Sequence, residues 1–373
     1  MAHRPPARPP SADELALEYP LGTALPAPGA VLALPGGLRW LRMGLPFALD
    51  HINLWLLPDE LDGRRGWTVV DCGIDDAATR ANWDAVLASA LDGLPVLRVI
   101  VTHMHPDHIG LAHWLCERFS TPAHECRLWI SATDWHVARL ASQASLGQGG
   151  SDAADFFASH GLVDAASLEK VRARRGYYAS LVPAVPPRYA RLHEGLVLRI
   201  DGRAWRCIAG YGHAPEHIAL FREGAGEEGA VLISGDMVLP RISTNVSVYE
   251  AEPEADPLPM FLQSIERLRA LPADTLVLPS HGRPFRGLHT RIGQLQQHHD
   301  ERLAEVLAAC TGTPRSAAEM LPVLFKRALD LHQTTFAMGE AVAHLHALWG
   351  QGLLQRRRGD DRVWRFVAAT APG

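Results

Sequence analysis

Three histidines and one aspartate fall within six consecutive positions of this 373-residue chain. They are His103, His105, Asp107 and His108, in the order His-x-His-x-Asp-His. Imidazole nitrogens bind zinc, iron and nickel, and a carboxylate adds a harder oxygen ligand. Asp107 and His108 are adjacent, so their side chains leave the backbone in directions different from those of His103 and His105. The motif therefore predicts a metal site and is compatible with two ions.

The segment before this motif indicates where the ligands lie. Residues 94–101 are almost all apolar, which is typical of a buried strand. Open α/β folds place their binding and catalytic groups at the carboxyl ends of strands. The four side chains are therefore expected at such a strand end.

Two metal ions need more ligands than one loop supplies, and three later positions repeat the pattern. His213 lies in a glycine-flanked turn, Asp236 follows Ser-Gly, and His281 follows Pro-Ser, each directly after an apolar strand-like run. A glycine-flanked turn brings backbone and imidazole close to an ion. His217 is expected to support the site or the fold. Because one ligand recurs at each strand end, we expect a shared site.

In the order and spacing of these motifs the chain resembles the metallo-β-lactamase superfamily, over about residues 32–285. The resemblance implies one metal held by His103, His105 and His213, a second held by Asp107, His108 and His281, and Asp236 as the bridge between them. It also implies that Asp71, in the run Val-Val-Asp-Cys-Gly, holds the ligand loop from behind without binding metal. Cys72 stands where the family usually has threonine or another small residue, which leaves the turn intact.

The resemblance extends to fold and domain organisation. Sequence patterning alone predicts an α/β fold, and the resemblance implies a four-layer αβ/βα sandwich with the ligands at one edge between two mixed sheets. Residues 21–309 are expected to form this catalytic domain, and residues 310–373 a smaller one. A chain of this length usually exceeds a single core.

The implied activity is that of a dinuclear metal-dependent hydrolase. True β-lactamases of the superfamily lack an aspartate equivalent to Asp236, whose presence points to hydrolases of esters, thioesters, lactones and phosphodiesters. A metal-bridging hydroxide would attack, and Asp107 would orient it and take up its proton. Zinc is the expected metal, with iron or manganese as alternatives. A metal-dependent endoribonuclease or phosphodiesterase, and an iron-dependent oxidoreductase, are the alternative functions.

Composition and net charge indicate the cellular compartment and the kinds of partner expected for this chain. The formal net charge of −5 gives no general attraction to nucleic acid or anionic membranes. Five widely spaced cysteines, without a Cys-x-x-Cys pair, favour a reducing cytoplasm over a disulfide framework. The sequence shows no signal peptide and no segment of transmembrane length. Residues 1–20 are predicted to be a disordered tail.

Residues 134–191 depart from the minimal hydrolase core and are predicted to form a helical insertion. Because the insertion follows the first ligand loop, it could cover the metals as a lid over a small-molecule substrate. Its alternative roles are packing onto the core and forming a dimer contact. The residues proposed to line a substrate pocket are Phe156, Phe157, Arg175, Tyr177 and Tyr178.

The segment from Cys310 onward reads as helices followed by a hairpin, which resembles a winged helix and the lactamase-beta-like group that carries one. It holds eight basic and five acidic residues, a net charge of +3. The helix predicted at 338–349 carries no arginine or lysine, whereas helices that read a DNA groove present such side chains to base edges. Packing or homodimer formation is therefore favoured over nucleic-acid binding.

Overall fold

Two β-sheets packed face to face form the centre of the fold, and helices cover the outer face of each. The computed structural model describes residues 11–143, 149–224 and 228–369. Large apolar side chains fill the space between the sheets, among them Trp40 and Trp55, whose rings stack with centroids 6.1 Å apart. The expected αβ/βα sandwich is confirmed.

The first sheet is mixed, and its strands are β1 (Leu32–Ala33), β2 (Arg39–Gly44), β3 (His51–Leu61), β4 (Arg64–Val70), β5 (Val96–Ile100), β6 (Arg127–Ser131) and β7 (Tyr189–Leu192). They lie side by side in chain order. Strands β1 to β4 pair antiparallel, and β4 to β7 pair parallel. Strand β5 is buried throughout, as expected for a strand covered on both faces. It is the strand predicted before the histidine motif.

The second sheet carries the other predicted ligands at its strand ends. Its strands are β8 (Val197–Ile200), β9 (Arg203–Gly210), β10 (His217–Arg222), β11 (Val231–Gly235) and β12 (Leu276–Pro279), in the spatial order β12-β11-β10-β9-β8. Strands β11 and β12 pair parallel, with Gly235 opposite Pro279. This register brings Asp236 and His281, which follow these two strands, to the same edge.

The helices form the two outer layers. They are α1 (Ala12–Leu15), α2 (Ala77–Ser89), α3 (Pro106–Ile109), α4 (Ala112–Phe119), α5 (Ala132–Gln143), α6 (Gly150–Ser159), α7 (Ala165–Ala173), α8 (Tyr177–Leu181), α9 (Pro257–Arg267), α10 (Leu288–Ala309), α11 (Ala317–Leu324) and α12 (Leu331–Gly350). Helices α2, α4 and α5 share a core with the first sheet, and α9, α10 and α12 share one with the second. No described helix is both long and apolar enough to cross a membrane.

The N-terminal segment is packed against the body of the protein from residue 11 onward. Leu17 belongs to the hydrophobic core, and Glu18 and Arg286 exchange backbone hydrogen bonds of 3.3 and 2.8 Å. The disordered tail predicted for residues 1–20 is therefore wrong for residues 11–20, because Leu17 is buried and the backbone is paired. Residues 1–10 lie outside the described part of the chain.

Helices α5 to α8 lie between β6 and β7, within the region predicted as an insertion; residues 144–148 are outside the described ranges. Within that region, the sequence pattern of residues 165–178 favours one continuous helical stretch. Instead, α7 ends at Ala173, and Gly176 adopts a left-handed conformation with φ of 71° before α8 begins at Tyr177. The break turns α8 onto the ligand-bearing helix α3.

The C-terminal segment has the predicted order of two helices and a hairpin, formed by β13 (Leu354–Arg358) and β14 (Trp364–Ala368). Helix α12 begins at Leu331, earlier than predicted, because Asp330 and Gln333 form a capping box at its start. Most of α12 is buried, and its apolar side chains share the core of the second sheet. This apolar helix therefore packs inside the chain itself.

Candidate metal centre

Seven side chains converge at the edge where β5, β9, β11 and β12 end. The side chains form three groups, and within each group the potential ligand atoms lie within 4.8 Å of one another. The groups are His103 with His105 and His213; His103 with His108 and Asp236; and Asp107 with His108 and His281. These are the seven residues that the sequence predicted as metal ligands. The structure brings all of them together.

The first group is formed by nitrogen atoms alone. His103 Nε2 lies 2.9 Å from His105 Nδ1 and 3.2 Å from His213 Nε2. Burial, reinforced by the neighbouring imidazoles, lowers the pKa of His103 and His105 well below the ordinary histidine value. Both rings are therefore neutral, with lone pairs available to a cation.

The second group adds an oxygen ligand. Asp107 Oδ2 lies 3.6 Å from His108 Nε2 and 3.4 Å from His281 Nε2. The Asp107 side chain is 18% exposed, whereas those of His108 and His281 are 0% and 3% exposed. Asp107 is thus the member of this group that faces an open approach.

Asp236 lies between the two groups. Its Oδ2 is 3.3 Å from His213 Nε2 in the first group, and its Oδ1 is 3.6 Å from His108 Nε2 and 3.4 Å from His281 Nε2 in the second. One oxygen faces each group, which is the geometry of a bridging carboxylate. Burial opposes ionisation, but His281 and His108 hold the pKa of Asp236 well below its usual value.

Two buried polar atoms at this position lack a hydrogen-bond partner among the described residues, His108 Nε2 and Asp236 Oδ1. Buried polar atoms are normally satisfied, so an unpartnered nitrogen facing an unpartnered carboxylate oxygen calls for another group. Imidazole and carboxylate together are the donors that divalent transition metals prefer. The residues present therefore fit metal ions.

The ring orientations are fixed from behind by hydrogen bonds to the other nitrogen. His213 Nδ1 contacts the Asn245 carbonyl oxygen at 2.7 Å, and His281 Nδ1 contacts the His51 carbonyl oxygen at 2.7 Å. Each contact directs Nε2 towards the centre of the site, as metal-binding histidines require.

Asp71 holds His108 in the same way, as the sequence predicted. Its carboxylate accepts hydrogen bonds from Thr102 N at 2.8 Å and from Thr102 Oγ1 at 3.0 Å, and it lies 2.9 Å from His108 Nδ1. Burial would lower the pKa of His108, but Asp71, Asp107 and Asp236 together raise it well above its usual value. Asp71 belongs to none of the three ligand groups.

His217 lies behind the first group. Its ring centroid is 5.0 Å from that of His103, and its Nε2 accepts a hydrogen bond from Asp236 N at 3.2 Å. A β-carbon at Gly235 would approach this nitrogen to 2.0 Å, so only glycine fits there. His217 thus sets the backbone position of Asp236, which agrees with the supporting role expected for it.

The proposed pocket residues divide into two sets. Tyr178 is buried and donates a hydrogen bond of 2.5 Å to the Met104 carbonyl oxygen, and Tyr177 is partly exposed beside it. Arg175 is exposed on the surface. Phe156 and Phe157 lie in the hydrophobic core shared with α12, with exposures of 7% and 0%. Placing these two phenylalanines in a pocket was wrong, because α6 turns its apolar face to the core.

Sequence reasoning missed Asp134, which is fully buried and joins two ligand loops. Its Oδ1 accepts from Met104 N and its Oδ2 from Glu216 N, both at 2.7 Å. Met104 lies between His103 and His105, and Glu216 between His213 and His217. The Ser131-x-x-Asp134 spacing indicated only a helix start. Burial raises the pKa of Asp134 to about 6.

Two family models match the chain. The one described as "Metallo-beta-lactamase superfamily" matches residues 52–281, and the one described as "Metallo-beta-lactamase-like, C-terminal domain" matches residues 303–369. Two curated proteins of Bacillus subtilis are similar. The probable metallo-hydrolase YqjP is 25% identical over 319 residues, which cover 83% of this chain and 91% of that protein. The probable metallo-hydrolase YflN is 27% identical over 262 residues, which cover 66% and 86%.

Solved structures extend the likeness over nearly the whole chain. A beta-lactamase domain protein from Burkholderia ambifaria is 54% identical with a TM-score of 0.89, covering 96% of this chain and 100% of that one. A metallo-beta-lactamase family protein from Thermus thermophilus is 29% identical with a TM-score of 0.69, covering 90% and 99%. The family model spans more than half of the sequence, and the ligand motifs lie within it. The chain therefore belongs to the metallo-β-lactamase superfamily.

Proposed function

We propose that this protein is a dinuclear metal-dependent hydrolase that cleaves an ester, thioester or lactone. The observation that carries the proposal is the position of Asp236, with one carboxylate oxygen towards each histidine group. A monometallic site would not need a carboxylate shared between two complete sets of ligands. The names of the Bacillus subtilis relatives as probable metallo-hydrolases support the reaction class.

Each metal has its own proposed set of protein ligands. His103, His105 and His213 would hold the first ion, Asp107, His108 and His281 the second, and Asp236 would contact both. Bound there, two divalent ions would supply Lewis acidity at the scissile carbonyl and lower the pKa of water from about 15.7 towards 7. Zinc is the proposed metal because nitrogen ligands predominate, and iron or manganese are the alternatives.

Asp107 is the proposed catalytic group of the chain itself. It is the most exposed carboxylate of the cluster, with 18% exposure against 10% for Asp236. An exposed carboxylate at this position can accept a proton from an attacking water and keep that water directed at the carbonyl carbon. Asp71, buried behind His108, has no such access and would serve only to orient the imidazole.

The ion pairs of two arginines in the C-terminal hairpin favour a small-molecule substrate over nucleic acid. Arg356 forms an ion pair of 2.8 Å with Glu254, and its guanidinium lies 4.1 Å from the centroid of the Trp349 ring and 4.3 Å from that of Trp364. Arg365 forms an ion pair of 2.6 Å with Asp361. Two of the five hairpin arginines are thus paired with carboxylates within the chain, which lowers the charge available to a phosphate backbone.

The purified protein should hold close to two transition-metal ions per chain and hydrolyse at least one acyl substrate in a panel of aryl esters, thioesters and lactones. Elemental analysis gives the stoichiometry and identifies the metal. Chelation should abolish turnover, and zinc should restore it. One ion or none per chain after gentle purification would contradict the dinuclear site. Cleavage of phosphodiesters or RNA alone, or metal-dependent oxygen uptake, would replace the acyl hydrolase with one of the alternative functions.

Asp134→Ala should weaken metal binding, because it leaves the backbone N–H groups of both ligand loops without their buried acceptor. Loss of such an orienting contact typically costs about 10- to 100-fold in metal affinity. Competition with a chromogenic zinc chelator measures the affinity. Asp155→Asn is the matched control, since Asp155 is an exposed carboxylate on α6 in the same insertion. Equal affinities for Asp134→Ala and the parent protein would contradict the bridging role of Asp134.

A further inference from the structure

Four partly exposed rings from three separate elements meet in one cluster, which we call the aromatic wall: Phe47, Tyr177, His332 and Phe336. His332 is its centre. The His332 ring stacks on Phe47 at 5.4 Å with an interplanar angle of 15°, and lies 6.0 Å from Tyr177 and 5.0 Å from Phe336. Phe47, Tyr177 and His332 are far apart in the sequence, so the fold assembles the cluster.

The Phe47 side of the wall is connected to the second ligand group. Phe47 lies in the turn between β2 and β3, four residues before His51. The His51 carbonyl oxygen is 2.7 Å from His281 Nδ1, and His51 Nε2 accepts a hydrogen bond from Gly282 N at 2.8 Å. The turn that carries Phe47 therefore adjoins the loop that carries His281.

The Tyr177 side adjoins Asp107. Tyr177 begins α8, which packs on α3, the helix that carries Asp107 and His108. Its neighbour Tyr178 is hydrogen-bonded to the Met104 carbonyl oxygen. Burial raises the pKa of Tyr177. The positive charge of Arg174 opposes this effect, and the Asp107 carboxylate adds to it. The Tyr177 hydroxyl is therefore within electrostatic reach of the most exposed carboxylate of the site.

The third side of the wall is formed by the C-terminal helix α12, which is connected to His213 by hydrogen bonds. The Ser247 hydroxyl lies 2.7 Å from Asn245 Oδ1 and 3.4 Å from the Phe336 carbonyl oxygen. The Asn245 carbonyl oxygen in turn contacts His213 Nδ1 at 2.7 Å. The start of α12 is thus linked through two residues to the first ligand group.

The aromatic wall is connected to the loops that carry His281 and His213 and to the helix that carries Asp107, which places it near the candidate metal centre. We propose that it is the substrate-binding wall of this site and selects a substrate with a flat, apolar acyl group next to the scissile carbonyl. The assignment rests on the proposed hydrolase function and gives the C-terminal region a part in substrate recognition. Partly exposed rings offer faces and edges on which another planar group can stack.

The chemistry of His332 suits this role. Burial lowers its pKa, and the positive charge of Arg174 lowers it further, against the opposing effect of Asp330. The ring is therefore neutral near pH 7 and behaves as a planar aromatic surface. The neutral ring stacks on Phe47 with an interplanar angle of 15°.

The test compares two metal-binding probes that differ only in the acyl group, benzohydroxamate and acetohydroxamate. Calorimetric titration of the zinc-loaded full chain should show benzohydroxamate binding about 10-fold more tightly, the effect of roughly one stacked ring. His332→Ala and Phe47→Ala should each reduce this preference by about 3-fold or more. These two substitutions lie in different elements, so a common loss of preference would not reflect one misfolded segment.

Phe325→Ala is the matched control, because Phe325 is also partly exposed and C-terminal but packs against the core of α11 and α12. It should retain the 10-fold preference. Equal binding of both probes by the parent protein, no binding of either, or a preference that survives in both wall variants would overturn the inference. Probe binding requires no turnover, so the two proposals fail in different experiments. Absence of hydrolysis would count against the proposed function, whereas the probe preference alone tests the aromatic wall.

Discussion

Replacing Asp236 with alanine is expected to reduce the metal content from about two ions per chain to one or fewer and to lower hydrolysis by about 1,000-fold. Asp236 Oδ2 faces His213 and Oδ1 faces both His108 and His281, so its removal would take one ligand from each of the two proposed metals. Loss of a metal removes several kcal/mol of transition-state stabilisation, and each 1.36 kcal/mol is about a tenfold change in rate. Elemental analysis and steady-state kinetics on the same preparation measure both effects.

Asp71→Ala is the comparison that separates a bridging ligand from a supporting residue. Asp71 is as buried as the histidine ligands, but its carboxylate contacts the outward nitrogen of His108 and the Thr102 side chain and backbone. Its loss should weaken metal affinity by about 10- to 100-fold while two ions still bind at saturation. If both variants lost the same number of ions at saturating metal, the assignment of Asp236 as a bridge would be wrong.

The convergence of the seven side chains could be predicted from the sequence because each of them is marked by a local pattern. A buried strand such as β5 is recognisable from its apolar run, and the residues that follow it must lie at a sheet edge. His213, Asp236 and His281 share this mark. The parallel register of β11 and β12, which sets Asp236 beside His281, then follows from the fold.

Other features depend on contacts between distant segments and left no local mark. Asp134 reads as a helix-start residue, and nothing in its neighbourhood indicates that its carboxylate reaches Met104 and Glu216. Phe156 and Phe157 are predicted from the sequence to line a substrate pocket, and only the packing of α6 against the C-terminal core shows that both are buried. Pocket residues are hard to predict for this reason, since core and pocket use the same apolar side chains.

Two helix boundaries were marked by local sequence signals that the prediction did not use. Gly176 marked the break between α7 and α8, since its φ of 71° lies in the left-handed region that favours glycine. The Asp-x-x-Gln spacing of Asp330 and Gln333 marked the start of α12. This earlier start is what places His332 and Phe336 on a helix, and without it the aromatic wall could not be anticipated.

Removing residues 310–373 is expected to leave a chain that does not fold. Helix α12 contributes Met338, Leu345 and Leu348 to the core of the second sheet, and the hairpin contributes Leu354 and Phe366. Each fully buried side chain of this kind stabilises by about 1.5 to 3 kcal/mol, and whole domains are stable by only about 5 to 15 kcal/mol. Loss of the far-ultraviolet circular dichroism transition, or insolubility, would be the expected observation.

Two single substitutions test the contribution of α12 to stability without truncating the chain. Leu345→Ala, at 0% exposure on α12, should destabilise the protein by about 2 to 5 kcal/mol because it leaves a cavity in the shared core. Leu353→Ala, at 44% exposure just beyond the same helix, should change the free energy of unfolding by no more than about 0.5 kcal/mol. Chemical denaturation gives both values. Equal, small effects would mean that α12 is peripheral.

Submicromolar binding of duplex DNA or RNA that is lost when Arg356, Arg357 and Arg358 are replaced by glutamine would instead assign this region to nucleic acid.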